Sequence, residues 1–86
     1  MPEISRFYGI IISLLYNDHA PPHFHAVYGE YEASFTIKDL KLMSGDMPRR
    51  AVSLVLDWAE LHQEDLLKDW ELARSKKPLF KIEPLK

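Results

Sequence analysis

Three of the four histidines in the chain, His19, His23 and His25, stand within seven residues of one another in the stretch Tyr16-Asn-Asp-His-Ala-Pro-Pro-His-Phe-His25. Imidazole is the side chain whose unperturbed pKa, about 6.5, lets it ligate a metal, donate a proton or accept one near neutral pH. On an extended backbone His23 and His25 project from one face, with Cβ atoms roughly 6 to 7 Å apart, while Phe24 points to the other face. Such an H-x-H pair, completed by a third group from a neighbouring loop, can hold zinc, nickel or iron at an open site. His19 or Asp18 is placed to supply the third group, so His19, His23 and His25 are the candidate metal ligands. The same histidines are candidates for metal-free acid–base catalysis, with Glu30 and Glu60 as further acids or bases if the fold brings them near. Asp18, Tyr16 and Tyr28 are candidate binding residues. A third reading stays open, in which Asp18, His19 and the prolines only build a turn whose imidazoles bond backbone carbonyls.

The elements that must position these groups are legible in outline. Eighty-six residues support one core rather than two. An apolar share of 47% and a charged share of 28% place the chain among globular proteins and outside the disordered class. Phe7 to Tyr16, rich in β-branched and aromatic residues, reads as a buried strand ending at Asn17-Asp18. Pro21 and Pro22 stiffen the loop that follows. His23 to Tyr28 resumes an extended pattern. Beyond Gly29-Glu30, Tyr31, Ala33, Phe35 and Ile37 alternate with Glu32, Ser34, Thr36 and Lys38, so a hairpin is expected at Tyr28-Gly29-Glu30. Leu40 to Met43 offers a short further strand before a turn at Ser44-Gly45-Asp46.

Pro48, just inside a helix start, opens a segment with apolar residues at 51, 54, 55, 58 and 61, and the period continues through Leu66, Leu67, Trp70 and Ala73. One long helix, with a bend allowed, is preferred over two helices broken near Gln63 to Asp65. The face made by Ala51, Leu54, Val55, Trp58 and Leu61 is its core side, and Trp58 and Trp70 are read as core or as a dimer contact. His62 lies at the boundary of that face. Pro78 ends the helix. The expected architecture is therefore α+β: an antiparallel sheet of three to four strands with one long C-terminal helix packed across it, in ββ(β)βα order. It forms a single domain over 1–86, with the sheet and histidine loop in 1–45, the helix in 46–75 and an extended tail in 76–86. The apolar residues of that tail, Leu79 to Leu85, are expected to cover a sheet edge or to meet another subunit.

Several function classes lose ground on composition. No cysteine is present, so a metal would be held by imidazole, carboxylate and water. The longest apolar run is far shorter than the roughly 20 residues of a membrane helix, and the opening residues do not read as a secretion signal, which makes a cytoplasmic protein the expectation. A net charge of −2 does not favour nucleic acid, although Arg74, Lys76, Lys77, Lys81 and Lys86 stand against Glu83 alone in the last stretch. Arg49 and Arg50 lie where a phosphate could meet the start of the helix.

The opening Pro-Glu-Ile-Ser-Arg-Phe-Tyr-Gly-Ile, the D-H-x-P-P-H-F-H run from Asp18 to His25, Tyr28-Gly-Glu, Trp58-Ala-Glu-Leu-His-Gln-Glu and Trp70-Glu-Leu-Ala together resemble the family called domain of unknown function 4160. The resemblance implies a small bacterial protein often encoded beside another small domain, in a toxin–antitoxin-like two-gene module, and it implies no reaction. It marks His19, His23 and His25 as the site. The leading expectation is thus a partner-binding component of such a module, whose partner is a small protein from a neighbouring gene or a second copy of this chain. The alternative is a histidine-dependent ribonuclease or phosphodiesterase, or a metal-binding protein.

Overall fold

The computed structural model describes residues 2–86. Five strands form one antiparallel meander in the order β1-β2-β3-β4-β5: Glu3–Phe7, Ile10–Ser13, His23–Tyr28, Tyr31–Thr36 and Leu42–Asp46. Two helices follow, α1 over Arg49–Leu61 and α2 over Gln63–Arg74. The α+β class matches the sequence reading. The count of three to four strands is corrected to five and the single long helix to two.

The additional strand comes from a turn hidden in an apolar run. Tyr8 and Gly9, with φ of 49° and 80°, link β1 to β2, and Phe7 pairs with Ile10 across them. Positive φ at both central residues is the signature of the tight hairpin turn whose twist matches that of the strands. The segment read as one strand from Phe7 to Tyr16 therefore supplies the end of β1, the turn and all of β2. The hairpin at Gly29-Glu30 lies where the alternation put it, with Tyr28 opposite Tyr31. Ser44-Gly45-Asp46, expected to be a turn, belongs to β5 instead. Gly45 sits there at φ 84°, and a Cβ would run into the Glu32 carbonyl oxygen and stand 2.8 Å from the Ala33 Cα. Its role is close backbone approach rather than reversal of the chain.

The helical period passes through the helix break unaltered, since Ala51, Val55, Trp58, Leu66, Trp70 and Ala73 are all buried. The break falls at His62, whose φ and ψ of −123° and 26° depart from helix. Gln63 ties this corner to the sheet, its amide donating to the carbonyls of Ile37 at 2.7 Å and Lys38 at 3.0 Å. Leu61, assigned to the core face, is exposed at the end of α1. Along a straight helix Trp58 and Trp70 would be separated by roughly 18 Å. With the corner, Trp58 meets Phe24 and Trp70 meets His23, consecutive residues of β3, at ring separations of 5.9 and 5.3 Å.

The tail folds back on its own chain. Ile82 is buried and its amide donates to the Ile4 carbonyl at 2.7 Å, which covers the outer edge of β1. The Trp58 indole N–H donates to the Glu83 carbonyl at 2.8 Å, and the Phe80 amide donates to Asp69 Oδ1 at 3.0 Å. Among the described residues no helix is long and apolar enough to cross a membrane.

Asp69 is fully buried, and its second oxygen has no hydrogen-bond partner among the described residues. Burial pushes its carboxyl up to about 6, with Asp65 adding to the rise and the Phe80 amide opposing it. The folded state thus favours the protonated form. The resulting stabilisation is fully present below the ordinary value of 3.8 and is lost as pH rises through about 6. Between pH 4 and 7 the protein should lose up to about 3 kcal/mol relative to an Asp69→Asn variant. Urea unfolding of both proteins across that range reads the difference, and parallel pH profiles would contradict it.

Candidate functional site

Extended backbone puts His23 and His25 on one face of β3, their rings 5.1 Å apart, and turns Phe24 to the other face against Phe35 and Trp58. The loop from Asn17 to Pro22 brings a third group over them. It is held at both ends, by the Asn17 amide donating to the Ala73 carbonyl of α2 at 3.1 Å and by the Ile37 amide donating to the Pro22 carbonyl at 3.0 Å. Asn17 takes a positive φ of 56°, a conformation Asn tolerates better than most residues. The group delivered is Asp18. Its Oδ2 lies 2.9 Å from His23 Nε2 and 3.3 Å from His25 Nε2, and one donor atom from each of the three residues falls within 4.8 Å of the others.

His19 occupies the rim. Its side chain is 84% exposed and its Nδ1 lies 3.0 Å from Asp18 Oδ1, the oxygen that also accepts the His19 amide at 2.9 Å. Of the two groups that sequence offered as a third ligand, Asp18 reaches both imidazoles of β3. Glu30 sits in the β3–β4 turn, beyond the end of β3, which lies roughly 10 Å along the strand from His25. Tyr28 is at that same far end and Tyr16 is exposed in the chain just before the loop. His62 packs on Trp58 at the helix corner, ring centroids 5.6 Å apart, and Glu60 is exposed near it.

Hydrogen-bond bookkeeping restricts what the buried pair can be. The Pro21 carbonyl, 2.7 Å from His23 Nδ1, can only accept, so that nitrogen carries a hydrogen. His23 Nε2 faces a carboxylate oxygen and must then hold either a second proton or a lone pair directed at a cation. His25 Nε2 faces the same oxygen, and its Nδ1 lies 3.2 Å from the Ser34 hydroxyl, which can donate or accept. Two arrangements that satisfy every atom differ in what lies between His23 and Asp18. In the first, His23 is an imidazolium donating to Asp18, and His25 donates from Nε2 while accepting from Ser34. In the second, both Nε2 atoms and Oδ2 ligate one cation, and both Nδ1–H groups donate outward to the Pro21 carbonyl and the Ser34 hydroxyl. Outward donation of this kind orients metal-bound histidines.

The two distances from Asp18 Oδ2, 2.9 and 3.3 Å, are hydrogen-bond lengths and also lie near the spacing of two ligands on one ion. Two donors bound to one ion at roughly 2.1 Å and separated by tetrahedral or octahedral angles stand about 3.0 to 3.4 Å apart. Asp18 Oδ2 is close to that spacing from both imidazole nitrogens. His23, 2% exposed and packed on Trp70, is held on the side away from solvent, while His25 and Asp18 are partly accessible.

Sequence reasoning passed over Ser34 and Trp70 as parts of this site. The alternation assigned Ser34 to the solvent face, yet it is buried beneath His25, its partner across the strands. The hairpin contained the signal. A two-residue Gly29-Glu30 turn pairs Tyr28 with Tyr31, and counting back pairs His25 with Ser34.

Burial raises the Asp18 carboxyl, but the His19 amide, the His25 bond and the charges of His23 and His19 together outweigh it and hold the group below its ordinary 3.8. Its stabilisation is therefore present above pH 3.8 and lost as pH falls through the lower folded value. At pH 7 an Asp18→Ala variant, which leaves His23 Nε2 facing nothing, should lose about 3 kcal/mol or more, and His19→Ala less than about 0.5 kcal/mol. Equal losses for the two in urea unfolding would contradict this geometry.

A family model described as "Domain of unknown function (DUF4160)" matches residues 9–71, a span that includes the loop, both histidines of β3, Ser34 and Trp70. None of the curated proteins and none of the solved structures matches the chain.

Proposed function

The chain belongs to the family described as domain of unknown function 4160, a description that supplies no activity, and we therefore propose from the site itself that it is a divalent-metal-binding domain. Asp18, His23 and His25 are the ligands, and the metal is one that accepts mixed imidazole and carboxylate donors, such as zinc, nickel or iron. One observation carries the reading: His23 donates from Nδ1 to a backbone carbonyl and turns its other nitrogen toward the Asp18 carboxylate at 2.9 Å. A cation between the two satisfies both without a buried imidazolium. The same contacts weigh against metal-free acid–base chemistry by His23, because neither of its nitrogens is left to face a substrate.

Untagged protein titrated calorimetrically at pH 7 should take up one equivalent of Zn²⁺ or Ni²⁺. Asp18→Ala and His25→Ala, each with a native circular dichroism spectrum, should bind at least 100-fold more weakly, and His19→Ala should bind within a few fold of the wild type. Absence of saturable binding, or loss of affinity on replacing His19 alone, would sink the proposal.

A partner-binding role in a two-gene, toxin–antitoxin-like module is a second reading, favoured by the unequal edges of the sheet. The tail covers β1, whereas β5 pairs only with β4 and exposes Leu42 and Met43. An uncovered edge can accept a strand from the product of a neighbouring gene or from a second copy. Light scattering of the protein alone and mixed with that product should detect a complex that Met43→Pro abolishes. A monomer under both conditions removes this reading.

A further inference from the structure

Tyr28 and Arg50, which the metal cluster leaves unused, meet at a cavity near the opposite end of β3. It has a volume of about 340 Å³ and is enclosed by Tyr8, Tyr28, Pro48, Arg50, Ala51 and Leu54. We propose that this cavity is a second binding site, for a nucleotide unit: one aromatic base carrying one phosphate.

Tyr8 is the first indication. It occupies a left-handed backbone position, φ 49°, in a tight turn where Asn or Gly meets less strain. Its side chain remains 59% exposed, so little burial offsets that strain. A strained, wet aromatic side chain points to function rather than packing. Tyr28 supplies a second phenol, 37% exposed, its ring facing Gly9, where an added Cβ would stand in ordinary contact at 3.5 Å. Pro48, Ala51 and Leu54 give the cavity an apolar side.

Arg50 provides the charge. It is exposed and has no carboxylate partner among the described residues, and no acidic side chain lies in the first turn of α1 to repel an anion. A guanidinium binds a phosphate through paired N–H donors, and a base stacks on an aromatic face without regard to its identity. The volume is at the lower end for small-molecule sites, enough for one unit and not for a duplex. A free nucleotide and an unpaired unit of a single strand share this chemistry. The site shares no residue with the metal cluster, so neither proposal depends on the other.

Titration of the full chain with AMP, UMP and an eight-residue oligouridylate, followed by ¹H–¹⁵N spectra, tests the proposal. Saturable shifts are expected at Tyr8, Gly9, Tyr28 and the amides of 49–54, with adenosine binding at least tenfold more weakly than AMP. Much tighter binding of the oligonucleotide would identify single strands as the source of the unit, and equal affinity would identify the free nucleotide. Arg50→Ala should weaken AMP at least tenfold at an unchanged melting temperature. Tyr8→Gly should weaken it while raising that temperature, a combination that a purely structural tyrosine does not give. No saturable shift with any probe, shifts confined to another surface, or a Tyr8→Gly variant that binds like the wild type would each overturn the proposal.

Discussion

The contact on which the site depends is the one between the Asp18 carboxylate and the two imidazoles beneath it. A carboxylate at this depth is costly unless its oxygens are matched by donors or a cation. Here Oδ1 takes the His19 amide and Oδ2 faces His23 and His25. Each constraint around it fixes one atom of that arrangement. The Pro21 carbonyl sets which His23 nitrogen carries hydrogen, Ser34 engages the outer nitrogen of His25, and Trp70 closes the floor. In the proposed metal-bound form a cation would take the position between His23 and Asp18, with the surrounding bonds kept.

The helical layer is shaped by the same requirement. The corner at His62 lets α1 cover one side of β3 through Trp58 while α2 brings Trp70 to His23 and the Ala73 carbonyl to the histidine loop. Gln63 fixes the corner to the sheet, and the tail covers the β1 edge through Ile82 and is tied to α2 through Asp69. The buried, half-partnered Asp69 works against stability at neutral pH. It sits one helical residue before the tryptophan that supports the site, a place where local rules are often broken for function.

Much of this was legible in the residues. Period-two alternation after Gly29-Glu30 located the central hairpin, and the H-x-H spacing placed two imidazoles on one face. Three features were hidden for physical reasons. Tyr8-Gly9 reverses the chain inside an apolar run, where one glycine is easily read as part of a strand. The helical phase is the same on both sides of His62, and neither proline nor glycine marks the corner. Gly45 looks like a turn residue by type, whereas its position is dictated by the Glu32 and Ala33 backbone on the adjacent strand. The choice between Asp18 and His19 depends on loop direction, which residue types do not encode.

X-ray absorption at the metal edge examines most directly the proposed arrangement of one cation shared by one carboxylate and two imidazoles. Protein loaded with one equivalent of zinc or nickel should give a first coordination shell of nitrogen and oxygen near 2.0 to 2.1 Å, with the outer-shell scattering of two imidazole rings. A shell containing three imidazoles would transfer the role of Asp18 to His19 and contradict the geometry described. A shell of water oxygens without ring scattering would show that the cluster is an ion pair and not a metal centre.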